Sequence, residues 1–86
     1  MDETLHIASL VVLARPELFE AVKANLRLLN GVELHQESVA GKLVVVLETT
    51  HEDQILQRID QINNLPGVLN AALIYHQVLD HAGETQ

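Results

Sequence analysis

The chain has 86 residues, 48% of them hydrophobic and 20% charged, a length and composition for one small folded domain rather than a disordered segment. Five Lys and Arg against twelve Asp and Glu leave a formal charge of -7, and Phe19 and Tyr75 are the sole aromatic residues of the Phe, Tyr and Trp class. Nucleic acid, which needs a basic footprint and stacking rings, is therefore disfavoured, as is an anionic membrane surface. Cysteine is absent, which removes disulfides, thiolate metal sites and a cysteine nucleophile.

Leu5 to Ala14 is aliphatic and β-branched, reads as a strand, and stops at Arg15-Pro16. Pro16 starts a helix whose apolar stripe is Phe19, Val22, Leu26 and Leu29, with Glu17 and Glu20 at its positive end. Asn30-Gly31 ends it, and Val32 to Ser38 alternates as a half-exposed edge strand. After a turn at Ala40-Gly41, Lys42 to Thr49 is a second β-branched strand, hairpin-paired with the one before. Thr50 with Asp53, or Thr49 with Glu52, has the spacing of a capping box for a second helix. The stripe of that helix is Ile55, Ile59 and Ile62, with Leu56 beside it. Pro66-Gly67 closes the helix, and Val68 to Val78 is the last strand. The expectation is one domain over 1–86, with a folded core of about 5–78 and a polar, frayed tail over 79–86.

The order is β-α-β-β-α-β, and its halves echo each other: Leu29-Asn30-Gly31-Val32 in the first, Leu65-Pro66-Gly67-Val68 in the second. Right-handed crossovers then give an α+β, ferredoxin-like βαββαβ sandwich, a four-stranded antiparallel sheet with two helices on one face.

Alternation sorts the strand residues between two faces. The helix side is expected to hold Ala8, Leu10, Val12, Leu43, Val45, Leu47, Leu69, Ala71, Leu73 and Tyr75. The other side is expected to hold Ile7, Ser9, Val11 and Leu13, then Val44, Val46 and Glu48, then Ala72, Ile74 and His76. Glu33, His35 and Glu37 are expected along its edge. No third layer is available to cover that face, yet its centre is aliphatic, and a patch of this kind usually meets something. Two readings stand open from pattern alone: a dimer interface or surface β-propensity, and a peptide-binding platform with an apolar middle and an acidic rim. A peptide with hydrophobic and arginine side chains suits the second.

Other chemistry is poorly supported. His6, His35, His51, His76 and His81 have no i, i+4 ligand spacing, and parity sends His6 and His76 to opposite faces. Metal is not expected. Glu17 with Glu20 and Glu52 with Asp53 sit in first helical turns, where the helix dipole explains them. Ser9 and Ser38 lack a nucleophile elbow, and the four glycines form no phosphate loop, so no enzyme activity is expected. Lys23, Arg27 and Arg58 read as helix surface charges.

Ser9-Leu10-Val11-Val12, Asn30-Gly31-Val32-Glu33, and Pro66-Gly67-Val68-Leu69 leading to Leu73-Ile74-Tyr75-His76-Gln77 resemble the NapD family over about Leu5 to Val78. The more specific pieces are Ser9 to Val12 and Tyr75 to Gln77. The resemblance implies a cytoplasmic assembly chaperone that binds the twin-arginine signal peptide of the periplasmic nitrate reductase catalytic subunit. It would restrain export by the Tat translocon until the molybdenum cofactor is inserted, holding no cofactor itself. The candidate peptide-binding residues are Ile7, Ser9, Val11, Leu13, Glu33, Glu37, Val44, Val46, Glu48, Ile74 and His76. Ser9 to Val12 follows the family motif, whereas Val44, Val46, Glu48, Ile74 and His76 rest on parity alone. Glu33, Glu37 and Glu48 are the candidates to pair with arginines. The start Met1-Asp2-Glu3-Thr4 is unlike a basic-then-apolar export signal, and no apolar run nears the ~20 residues of a membrane-spanning helix. A cytoplasmic monomer or weak homodimer without membrane insertion is expected. The alternative is a small-ligand-sensing module of the ACT type, which shares the topology.

Overall fold

The computed structural model describes residues 4–38 and 40–80 of the chain. The elements run β1 (Thr4–Ala14), a 3₁₀ turn (Pro16–Leu18), α1 (Phe19–Arg27), β2 (Val32–Glu37), β3 (Lys42–Thr49), α2 (Glu52–Asn63) and β4 (Val68–Asp80). The four strands form one sheet in the order β2-β3-β1-β4, and every neighbouring pair is antiparallel. The two β-α-β halves thus put β1 and β3 at the centre, as right-handed crossovers require. The expected tail lies outside the described residues from 81 onward, and β4 itself continues through Asp80.

Both helices pack on one face. Ala8, Leu10 and Val12 of β1 and Leu43, Val45 and Leu47 of β3 form a closed core with Val22 and Leu26 of α1 and Ile55 and Ile62 of α2. Each of these side chains is at most 3% exposed. At about 1.5–3 kcal/mol for each large aliphatic side chain removed from water, this layer is the main source of stability.

Pro16 opens the 3₁₀ turn, where its missing N–H leaves no bond unmade. Helix α2 starts without the expected capping box. His51 is its N-cap residue, and its side chain makes no capping bond. Thr49 is still in β3, and its hydroxyl accepts from the His51 N–H at 3.2 Å and pairs with the Gln54 carboxamide. Asn63, at the other end of α2, pins the helix to β4: Ala71 N–H donates to Asn63 Oδ1 at 3.0 Å, and Asn63 Nδ2 donates to the Ala71 carbonyl at 3.3 Å.

Helix α1 ends earlier than the expected Asn30-Gly31 stop: Leu28 is its C-cap, and Gly31, three residues on in the loop, has φ +75°. Its carbonyl accepts from Glu48 N–H at 2.9 Å. A Cβ there would stand 2.5 Å from the Glu48 carbonyl oxygen, so only glycine allows this approach between the loop and β3.

Three β-bulges, all on edge strands, alter the expected faces. In β4, Leu10 pairs with Leu73 but Ser9 with Tyr75, leaving Ile74 as an extra residue. One extra residue inverts the alternation beyond it. His76, opposite Ala8, and Val78, opposite His6, therefore lie on the helix side, while Tyr75 and Gln77 join the open face. The expected sides of Tyr75 and His76 are thus exchanged. A second irregularity leaves Leu69 unpaired and 59% exposed rather than on the core side, where Val68 stands opposite Ala14. In β2, Leu34 pairs with Val45 and Gln36 with Val44, so His35 is extra. Glu37, opposite Leu43, turns to the helix side, and Gln36 takes its place on the open face.

Candidate functional site

The open face is built from odd-numbered residues of β1 and their cross-strand partners. Ile7 pairs with Glu48, Ser9 with Val46, Val11 with Val44 and Leu13 with Lys42. One row crosses the whole sheet: Glu33, Val46, Ser9, Tyr75. The next is Gln36, Val44, Val11, Ala72. Eight of the predicted residues meet here: Ile7, Ser9, Val11, Leu13, Glu33, Val44, Val46 and Glu48. Ile7, Val11, Val44 and Val46 are only half-buried although they sit at the centre of the sheet, because no element among the described residues lies over them.

The face has a polarity. Glu33 and Glu48 flank Val46 in a shallow cleft of about 250 Å³ that Gly31 and Val32 complete. The Gly31 approach that admits the Glu48 N–H holds this cleft together. Lys42, a cation, stands at the opposite end beside Leu13. Tyr75, 56% exposed, stands at the β4 end of the Glu33 row. Val46 and Ser9 therefore lie between Glu33 at one edge and Tyr75 at the other, with the aliphatic Ile7, Val11 and Val44 in the adjoining rows.

Three predicted residues are placed differently. Glu37 accepts an ion pair from Lys23 Nζ at 2.9 Å on the helix side. Lys23 is not a surface charge: it is 8% exposed, also bonds Glu20 at 3.2 Å, and lies over the Phe19 ring. The Glu37 hydrogen bond holds the Lys23 pKa above the ordinary lysine value, against the opposing effect of burial. His76 is the second: its Nε2 lies 3.1 Å from His6 Nδ1, the meeting that strict parity denied. Ile74 is the third, 58% exposed at the bulge itself. Parity also missed Tyr75 and Gln36. The available signal was weak. Leu73-Ile74-Tyr75 is three large apolar residues in a row, which no strict alternation can sort, and nothing apolar follows Leu34 in β2 to fix its register.

Among the described residues no three His, Asp or Glu side chains are grouped to hold a metal ion, and no helix is long and apolar enough to cross a membrane.

The NapD family model, described as NapD protein, matches residues 5–80. The chain belongs to the NapD family. Chaperone NapD of Escherichia coli K12 is 31% identical over 86 residues, with 99% of each chain covered. Chaperone NapD of Paracoccus pantotrophus is 36% identical over 75 residues, 87% of this chain and 66% of that one. The solution structure of the E. coli Tat proofreading chaperone protein NapD matches with a TM-score of 0.78 at 31% identity, over 95% of this chain and 86% of that one. A transcriptional regulatory protein of the AsnC family from Pyrococcus furiosus shares the fold at a TM-score of 0.62 and 17% identity, covering 87% of this chain and 49% of that one. The ferredoxin-like sandwich is thus common to NapD proteins and to a regulator of another family, and the open face has to be read from its own side chains.

Proposed function

We propose that this NapD-family chaperone acts in the cytoplasm, binding the twin-arginine signal peptide of a periplasmic nitrate reductase precursor on the open sheet face. By occupying that peptide it restrains Tat export until the molybdenum cofactor has been inserted. The observation that carries the reading is the polarity of the face: a carboxylate-flanked cleft at Glu33, Val46 and Glu48 continuous with aliphatic side chains of β1 and β3. An arginine-containing segment meets the carboxylates, and the apolar segment of the peptide covers Ile7, Val11 and Val44 and reaches Tyr75. The E. coli relative is a Tat proofreading chaperone, which supports the same reading. Burial of the aliphatic strip supplies most of the affinity, and the carboxylates supply orientation, since exposed ion pairs are worth only about 0.2–1 kcal/mol each.

Calorimetric titration with a synthetic twin-arginine signal peptide tests it, beside a control in which both arginines are glutamine. Binding that weakens in the control, with NMR shifts at Val44, Val46 and Val11, is expected. Equal affinity for both peptides, or shifts confined to the helices, would refute the open-face assignment.

A further inference from the structure

The sheet ends in two edges of opposite character. Edge strands present unpaired backbone groups, and proteins usually blunt them with charge, proline or brevity. β2 is short and carries Glu33 and Glu37 among its six residues. β4 has thirteen residues with no Lys, Arg or Pro, and Asp80 at its end is its one charged residue. Nine large apolar side chains are exposed among the described residues, and five belong to β4: Leu69, Leu73, Ile74, Tyr75 and Val78. Strand β1 covers one side of β4; among the described residues no strand lies on the other.

The outer edge is closed at one point. The Asn63 carboxamide takes both the N–H and the carbonyl of Ala71, as a residue of a neighbouring strand would. From Leu73 to Leu79 no such clip is present among the described residues, and Tyr75 to Asp80 is in unbroken register with β1. Beside this stretch, on the helix side, lies a groove of about 350 Å³ between Ile55 and Leu56 of α2 and Leu73 and His76 of β4. Glu52 and Asp53 form its rim, and no Lys or Arg lines it.

We propose that this edge accepts a fifth strand: an extended segment of a partner protein with alternating aliphatic and basic side chains, continuing from the rung that Asn63 occupies. The partner's backbone pairs with Leu73 to Leu79. Its inward side chains enter the groove beside Leu73 and Leu56, and a lysine or arginine reaches Glu52 and Asp53. Charge selects this occupant over a second copy of the chain, which would bring another -7 and the same two carboxylates to the contact. The site lies across the β4 edge from the face assigned to the signal peptide and stands independently of that assignment.

The probe is a synthetic octapeptide of alternating valine and lysine, added to the full chain and followed by amide hydrogen exchange and NMR. Slowed exchange of outward-facing β4 amides between Leu73 and Leu79 is expected. Binding should be lost when alternate peptide amides on the edge-facing side are N-methylated, and retained when the other set is methylated. Leu73→Lys should abolish it in a folded protein, whereas Val11→Glu should leave it intact, which separates this site from the open face. Indifference to both methylation patterns, or shifts confined to Val44 and Val46, would overturn the proposal. So would protection that grows with protein concentration alone and sediments as a dimer, since the edge would then belong to a second copy.

Discussion

The two faces of the sheet are made of similar residues and have opposite fates. On β1, Leu10 is fully buried on the helix side, while Val11, one residue away on the open side, is half-buried with no described element over it. Across β3, Val45 is at 0% exposure and its neighbours Val44 and Val46 are half-buried. Aliphatic content alone therefore does not separate the core face from the open face. What separates them is whether the chain has a layer left to place on that side. With two helices of nine and twelve residues, the described residues cover one face and leave the other open.

The sharpest test of the contrast is the pair Leu10 and Val11. Leu10→Ala removes a fully enclosed side chain and should destabilise the fold by about 2–5 kcal/mol in urea unfolding, without entering the peptide site. Val11→Glu should leave the far-ultraviolet circular dichroism native but lower signal-peptide affinity by about 10–100-fold, the equivalent of one buried aliphatic side chain. If Val11→Glu unfolds the domain as Leu10→Ala weakens it, the two faces are not functionally distinct.

Gly31→Ala joins the faces, because the loop after α1 also holds the Glu48 N–H. A residue with a side chain at φ +75°, facing a carbonyl at 2.5 Å, should cost about 1–3 kcal/mol of stability. The same substitution should perturb the Glu48 amide resonance.

The carboxylates give a finer discrimination. Glu33→Gln and Glu48→Gln should each weaken signal-peptide binding by about 0.2–1 kcal/mol, an effect that fades with added salt. Glu37→Gln should leave affinity unchanged, because the β2 bulge has turned Glu37 to Lys23. A loss at Glu37 equal to that at Glu33 would contradict the register observed in β2.

The smallest expected effect concerns Lys23. Its pKa is raised in the folded state above the ordinary 10.5, chiefly by Glu37. Its contribution to stability is therefore complete below about pH 10.5 and is lost as pH rises through the higher folded value. Alkaline denaturation curves of the wild type should fall in that range, and those of Lys23→Met should be flatter.

The central strands were legible in the sequence because each pairs on both sides. Odd residues of β1 and even residues of β3 kept the sides that alternation assigns, including Ile7, Val11, Val44, Val46 and Glu48. The edge strands were less legible. His35 and Ile74 each insert one residue, and neither is a glycine or another punctuation mark. The inversions beyond them moved Glu37 and His76 off the open face and brought Gln36 and Tyr75 onto it. The His6–His76 contact and the Lys23–Glu37 ion pair follow from the same two insertions. The first helix is legible in its stripe, whereas the N-terminus of the second is not marked by a capping box, because Thr49 remains in β3 and His51 is the N-cap.

Local sequence determined the order of elements, the helix stripes and the resemblance to the NapD family. All of these depend on residues within a few positions of one another. The tertiary structure decided the register of β2 and β4, since an edge strand has a neighbour on one side only and can absorb an extra residue without breaking a second ladder. That freedom settled which carboxylate faces the open surface and which histidine meets His6.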